Sequence, residues 1–540
     1  MRICYLADRG AIPLGSTKKM KLAPLGSFLF LIPLQCLWPY SVSMTATVTT
    51  STLIGTESLP VYIESDMSNS LPGTVIVGLG DKAISEAKER IRSAIKNSNL
   101  EHPKKRITIN LSPADIPKDG AHYDLGMALS VMQLSGQLPE NCLNGTLVLG
   151  ELGLDGSIRP ISGVIGHIIC ARRLGLTKAI IPHLNLEEAK LIGGVELIGA
   201  RTLRELADHL RGLAKLPTLK EYRYQTPRPT FEMDMSDVSA QAMAKRALEI
   251  AATGEHNILM SGPPGGGKTM LARTLPTILP PMTKQQIIQS THVHSISGGS
   301  VCKIINMPPF RSPHHSASHI SLVGGGAKPS PGEVSLAHNG VLFLDEIPEF
   351  SRQSLESLRQ PLEDGVITVS RASRTVQFPA RSILVATRNP CPCGYLGHPK
   401  KQCDCTQQQI DKYQLKLSGP LLDRIDLFVQ VESTSHRNLL DSAGIEESSS
   451  TIRKRVTEAR SAQLAKFNKP CSRLTSKEVK QKIKMSADTV NFLNGAAEKL
   501  NLSSRSYMKV IKVAQTVACL NQADQVDSGH IAEALQFRQI

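Results

Sequence analysis

Two stretches in which short apolar runs alternate with helical patterns divide most of the chain. From Val61 to about Gly212 the runs TVIVGL, RITIN, GTLVLGEL and KAIIP alternate with patterns such as AISEAKERIRSAIKNS. That order predicts an α/β or α+β domain. A second alternating region extends from about Met235 to Val431, and after the Ser-rich STSHRNLLDSAGIEESSS the pattern is helical to the end. There, TIRKRVTEARSAQLAKF, SADTVNFLNGAAEKL and SYMKVIKVAQTVACL each predict a helix. Between the two regions LPTLKEYRYQTPRPTF, with three prolines and no period, reads as a linker. No repeat at solenoid periods is visible. The expected layout is a leader over 1–43, a first domain over 44–212, a linker over 213–234, an α/β core over 235–433 and a helical domain over 434–540.

The leader invites a secretory reading, because Lys18, Lys19 and Lys21 precede the apolar run SFLFLIPLQCLW. The run is short for a membrane span and is broken by Pro33. A signal or anchor is the alternative; the preferred reading is a start placed too early, with the native chain beginning at Met44. Composition then adjusts the picture. The 62 Lys and Arg residues outnumber 47 acidic ones for a net charge of +15, of which the leader, with five basic residues against Asp8, carries +4. A basic chain favours polyanionic partners but says nothing of fold. Aromatic residues make up only 4%, so a base-stacking surface is not indicated and contact with phosphates would have to dominate.

Chemistry concentrates in the second region. HNILMSGPPGGGKTMLARTL holds G-x-x-x-x-G-K-T, Gly262 to Thr269, between an apolar run and a helical pattern. In this loop of Gly262, Pro263, Pro264, Gly265, Gly266, Gly267, Lys268 and Thr269, backbone N–H groups close around phosphate oxygens. Lys268 reaches the β and γ phosphates, and the Thr269 hydroxyl ligates Mg²⁺. ATP and Mg²⁺ are therefore the expected cofactors. Downstream, NGVLFLDEIPEF ends an apolar strand on Asp345, for Mg²⁺, and Glu346, to activate water. SILVATRN ends a second such strand on Asn389, able to orient that water. Arg424 in SGPLLDRIDLFV and Arg505 in LSSRSYMKV offer planar, permanently charged forks suited to a γ phosphate. Alone, Asn389 reads as a turn residue and each arginine as a surface or capping one; only the order of the whole set gives them weight.

In that order GPPGGGKT, GVLFLDE, VATRNPCPCG, SGPLLDRIDL and SSRSYMKVIKVAQT resemble the AAA+ ATPases of the magnesium-chelatase type. More narrowly, the chain resembles the ComM/YifB group of bacterial competence-related proteins, from about Thr45 to Arg538. The resemblance implies an α/β fold: a P-loop AAA+ core with a parallel sheet, a Lon-protease-like N-terminal α/β domain and a C-terminal helical lid. It implies Asn389 as the first sensor, Arg505 as the second, and Arg424 as a finger offered to a neighbouring subunit's nucleotide. A finger acting between subunits implies a homo-oligomeric ring, a hexamer.

The first domain also carries a resemblance. DIPKDGAHYDLGMALSVM and GELGLDGSIRPISGVIGH are similar to the proteolytic domain of Lon-type proteases, which need a Ser two residues after the PKDG glycine and a Lys in the following helix. His122 occupies the first place and Ile165 the second. Without an activated nucleophile the domain is not a protease; it reads as a scaffold for the ring or for DNA.

Two elements are candidates for gripping a substrate. In EDGVITVSRASRTVQFPARS, alternation around a polar turn predicts a hairpin with Arg371 and Arg374 at its tip, suited to a phosphate backbone. The alternative is a solvated edge hairpin. The insert FRSPHHSASHISLVGGGAKPSPGE, with Arg311, His314, His315 and Lys328, reads as an exposed mobile loop. Finally, NPCPCGYLGHPKKQCDC brings Cys391, Cys393, Cys403 and Cys405 together as two C-x-C pairs. They suit a structural Zn²⁺, with His398 able to replace one ligand; free thiols or disulfides are the alternatives. Lys400 and Lys401 in the same loop would touch DNA or the next subunit.

The leading expectation is a cytoplasmic, ring-forming ATPase acting as a helicase or branch-migration motor on single-stranded or branched DNA with little sequence specificity. It would support transformation and recombination, with recombination proteins as further partners and no membrane association. The runner-up is a protein-remodelling or chelatase-like motor, and a third reading is an ATP-gated scaffold without turnover.

Overall fold

The computed structural model describes residues 45–538 except 79, 221–229, 299–302, 327–328, 372–373, 398–400 and 433–445. The leader, with Lys18, Lys19 and Lys21, lies outside the described residues, as do His398, Lys400 and Lys328. The protein is α/β, with two separate main sheets.

The N-terminal sheet has eight strands in the order Thr218–Leu219, Glu196–Ala200, Lys178–Pro182, Thr146–Val148, Ala46–Ile54, Glu57–Ser68, Arg106–Ser112, Gly73–Val77. Its centre is a hairpin in which Ala46–Ile54 and Glu57–Ser68 pair antiparallel around the two-residue turn Gly55-Thr56. Within Glu57–Ser68 the residues Val61, Ile63 and Ser65 are buried while Tyr62, Glu64 and Asp66 are exposed, the period expected of a half-covered strand. The covering helix Asp124–Leu134 is buried along almost its whole length. Beside it the amphipathic helix Lys82–Asn97 buries Ile84, Ala87, Ile91, Ala94 and Ile95 and is capped by Asp81, whose Oδ1 accepts from Ile84 N at 3.0 Å.

The second sheet has five parallel strands in the order Phe310–Arg311, Val341–Leu344, Ile383–Arg388, Ile258–Ser261, Leu427–Gln430. The strand Val341–Leu344 is buried at every position because both faces of the sheet are covered. Val341, Phe343, Ile383 and Val385 enter one hydrophobic cluster together with helices Ala242–Gly254, Lys268–Ile278, Ser449–Phe467 and Ser504–Leu520. Their neighbours Leu342, Leu344, Leu384 and Ala386 enter another, with Val334, Leu355, Leu358 and Ile367. The C-terminal helices thus share a core with the P-loop sheet. Polar contacts reinforce this: Arg460 Nε donates to Thr253 O at 2.6 Å and Phe428 N to Phe537 O at 2.7 Å.

The segment Val366–Pro379 is the expected hairpin, its strands Val366–Arg371 and Arg374–Pro379 closing with Arg371 opposite Arg374. The insert departs from expectation. His314 and His315 are exposed, but the segment is not an irregular loop: it contains the helix His319–Val323, a small pair of strands at Gly324–Gly325 and Ser330–Pro331, and the buried Leu322. Arg311, expected to be free for substrate, instead makes a bidentate pair with Glu333, Nε to Oε2 at 2.6 Å and Nη2 to Oε1 at 2.8 Å. No helix among the described residues is long and apolar enough to cross a membrane.

Candidate active site

Three parallel strands end side by side, and their ends build the site. The strand Ile258–Ser261 leads into the P-loop, the strand Val341–Leu344 delivers Asp345 and Glu346, and Ile383–Arg388 delivers Asn389. This is the carboxyl edge where parallel sheets place ligands.

The loop's path depends on glycine at two places. A Cβ on Gly262 would lie 2.2 Å from Val431 O, so nothing larger fits, and Gly267 caps the helix Lys268–Ile278 at φ +83, in the left-handed region. Beyond them the loop faces open space, since a Cβ on Gly265 or Gly267 would meet nothing within 4 Å. A concave loop opening onto a helix N-terminus suits phosphate.

Lys268 Nζ donates to Gly262 O at 2.6 Å, to Pro263 O at 2.9 Å and to Asn389 Oδ1 at 3.0 Å. Burial lowers the pKa of its ammonium, and the charges of Asp345 and Glu346 oppose that shift. On its other side, the Asn389 amide donates from Nδ2 to Glu346 Oε1 at 3.2 Å. Asn389 therefore bridges the P-loop lysine and the second carboxylate. Only this orientation of its amide sets oxygen against ammonium and NH₂ against carboxylate.

The first carboxylate is held by two hydroxyls. Asp345 Oδ2 accepts from Thr269 Oγ1 at 3.1 Å and Oδ1 from Thr387 Oγ1 at 2.5 Å. Thr387 Oγ1 in turn accepts from Glu346 N at 2.9 Å, fixing a residue whose φ of 49 places it in the left-handed region. For a glutamate that conformation costs about 1 kcal/mol or more and is the kind of strain found at working sites. Asp345 and Thr269 supply the oxygen donors that Mg²⁺ takes, so the side chains present fit the ion.

Sequence reasoning thus named the residues the structure brings together: Lys268, Thr269, Asp345, Glu346 and Asn389. It missed Thr387, whose signal was a lone polar residue closing the apolar run ILVA. The two arginines stand elsewhere. Arg424 Nη1 donates to Pro420 O at 2.5 Å, its Nη2 pairs with Glu363, and its Nε is buried without a hydrogen-bond partner. Arg505 Nη1 pairs with Asp423 Oδ2 at 3.2 Å. Among the described residues no hydrogen bond links either arginine to the P-loop. Their partners Glu363 and Asp423 were not foreseen either.

At the N-terminal domain, His122 is half-buried, with Nε2 3.0 Å from Ser51 O, and desolvation lowers its imidazole to about 4. The residue that meets it from the helix Val164–Arg173 is His167, with ring centroids 5.2 Å apart; Ile165 lies instead in a hydrophobic cluster. His167 is itself tied to Ser51 Oγ at 2.7 Å, and Lys118 of PKDG is buried against Pro113 O. The residue facing His122 from this helix is thus a second histidine, while Ile165 packs into the hydrophobic cluster.

Comparison with known proteins agrees along the chain. The family described as "Subunit ChlI of Mg-chelatase" matches residues 63–185, "Magnesium chelatase, subunit ChlI" matches 234–439, and "Magnesium chelatase, subunit ChlI C-terminal" matches 446–538. The chain is 41% identical over 501 residues to the uncharacterized protein YifB of Escherichia coli, covering 91% of this chain and 97% of that one. It is 42% identical over 490 residues to competence protein ComM of Haemophilus influenzae, covering 90% and 96%. A shorter likeness, 31% over 123 residues, links 23% of the chain to 22% of Lon protease 2 of Bacillus subtilis. The chain belongs to the ComM/YifB group of magnesium-chelatase-type AAA+ ATPases.

Proposed function

We propose that the chain hydrolyses ATP with Mg²⁺ as part of a ring, a hexamer, that moves along DNA as a helicase or branch-migration motor in transformation and recombination. The observation that carries the hydrolytic part is the bridge Lys268–Asn389–Glu346 beside Thr269 and Asp345. In this reading the P-loop amides and Lys268 hold the phosphates. Thr269 and Asp345 would hold Mg²⁺, which supplies positive charge against the phosphate oxygens when bound. Glu346 takes the proton of the attacking water as its oxygen bonds to the γ phosphorus and the bond to the ADP oxygen breaks. Asn389 keeps Glu346 turned toward that water and links its position to that of Lys268. Arg424, engaged with Glu363 and Pro420 rather than with its own P-loop, is offered to a neighbour's nucleotide, and Arg505 senses the nucleotide from the lid.

The DNA part rests on the hairpin whose tip pairs Arg371 with Arg374, on the net charge of +15, and on the likeness to a competence protein. Phosphate contact from two arginines reads backbone and not bases, so single-stranded or branched DNA of any sequence would serve. In this layout residues 44–212 form a scaffold without peptidase chemistry, 213–234 the linker, 235–433 the motor and 434–540 the lid, all working in the cytoplasm. The matching families' description as magnesium-chelatase subunits favours a second reading, a protein-remodelling or chelatase-like motor. ATP turnover measured without DNA and with single-stranded, forked and four-way DNA separates the two. Stimulation by DNA is expected; stimulation by an unfolded protein and by no DNA would overturn the DNA reading.

A further inference from the structure

The four cysteines of the loop after Asn389 lie on no path used by the hydrolytic residues, yet they are gathered in one place. One ligand atom from each of Cys391, Cys393, Cys403 and Cys405 falls within 4.8 Å of the others. The sulfurs of Cys391, Cys393 and Cys403 are 3.4, 3.5 and 3.6 Å apart. A tetrahedron of thiolates around a metal at a Zn–S distance of about 2.3 Å has edges of about 3.8 Å, so a small contraction or expansion seats the ion. Two backbone amides already point at the sulfurs: Leu396 N donates to Cys391 Sγ at 3.3 Å and Cys393 N to Cys405 Sγ at 3.4 Å. Amides aimed at sulfur suit thiolates, which accept far better than thiols, and they fix ligand orientation as outer partners of metal sites do. Cys391 is fully buried, which suits a closed site with no open coordination position.

The loop also grips the catalytic machinery from two directions. Cys391 follows Asn389 by two residues, and Gly394 packs so tightly on the P-loop that a Cβ there would lie 2.6 Å from Pro264 Cδ and 3.9 Å from Asn389 Cγ. On the far side, Cys405 is followed by the capped helix Gln407–Gln414, whose buried Tyr413 lines one cavity with Asn389, Pro390 and Leu396. Joining the two C-x-C pairs would therefore clamp Asn389 between the segment that leaves it and the helix that returns to it.

We propose that Cys391, Cys393, Cys403 and Cys405 hold one tetrahedral Zn²⁺, or an equally thiophilic divalent ion, and that this ion positions Asn389 for hydrolysis without contacting nucleotide. The second half rests on the ATPase reading above; the first half does not. Soft thiolates select such an ion over Mg²⁺, which Thr269 and Asp345 would hold by oxygen donors, so the two metals would not compete.

The full-length chain is assayed for bound metal by elemental analysis, for its absorption spectrum after Co²⁺ exchange, and for ATP affinity and turnover separately. One metal per chain and a cobalt spectrum with intense thiolate-to-cobalt bands are expected. Cys403→Ser with Cys405→Ser should lose the ion and lower turnover at least tenfold, with ATP affinity changed by less than about threefold. Should that variant fold poorly, Gly394→Ala keeps all four sulfurs: it should retain the metal and still lower turnover, because it lifts the loop from Pro264. Absence of stoichiometric metal, or a cobalt spectrum of oxygen or nitrogen ligation, overturns the site. Undiminished turnover in both metal-free and Gly394→Ala protein overturns the positioning role. A metal-loaded wild-type chain that hydrolyses no ATP refutes the ATPase reading and with it the positioning role, leaving the metal site judged by stoichiometry and spectrum.

Discussion

The N-terminal domain and the P-loop core both bury polar groups next to a sheet, and they put them to opposite use. In the first, His122, His167 and Ser51 satisfy one another behind a fully packed helix, and desolvation keeps both rings neutral near pH 7. In the second, Lys268, Asn389, Glu346, Asp345 and Thr269 line the open carboxyl edge of a parallel sheet, with unlike groups alternating. Buried polarity alone therefore does not mark a reaction centre. What marks one is a nucleophile or proton acceptor that faces space a substrate can enter.

The comparison breaks first at Glu346. Glu346→Gln keeps the shape and the Asn389 contact but removes the proton acceptor, so ATP turnover should fall by about 10²-fold or more while ATP remains bound and the proposed ring is stabilised. Turnover and nucleotide retention on the same sample check this. Arg371→Ala with Arg374→Ala should remove DNA stimulation while leaving turnover without DNA in place. Its binding to DNA should weaken across all sequences, with a log–log salt slope shallower by about 2.

A smaller effect sharpens the N-terminal half. His122 has a folded-state value of about 4 against an ordinary value near 6.5, so between those limits the unfolded chain takes up a proton that the folded one does not. Stability is then fully present above about pH 6.5 and is lost as the pH falls toward 4, by on the order of 3 kcal/mol for this residue. Thermal midpoints at pH 7.5 and 5, for wild type and for His122→Phe, should show the drop flattened in the variant. The smallest change expected is at Arg311→Ala, about 1 kcal/mol from a half-exposed bidentate pair, read as a shift in denaturant midpoint.

Much of this was legible in the chain because the chemistry is local there. The P-loop, the strand ending in Asp345 and Glu346, and the strand ending in Asn389 are contiguous strings whose geometry follows from strand, turn and helix order. The hairpin around Arg371 and Arg374 was legible for the same reason, through its period of two. What the sequence hid was long-range pairing. Nothing in the pattern around Arg311 foretells Glu333, 22 residues on, or the engagement of Arg424 by Glu363. The helix that supplies His167 was foreseen, but which of its side chains faces His122 depends on the turn at Gly163, where φ is +67. The continuity of the P-loop sheet's core with the C-terminal helices was hidden likewise, since helical periodicity shows that a face is apolar and not what covers it.

ATP hydrolysis is expected to reside in the P-loop core, and peptide hydrolysis is not expected of the Lon-like domain. ATP turnover and peptide hydrolysis, measured side by side on wild type and Glu346→Gln, test this expectation most directly. Expected are ATP turnover in the wild type, its loss in Glu346→Gln, and no peptide cleavage by either. ATP turnover that survives Glu346→Gln, or peptide cleavage by the wild-type chain, would contradict it.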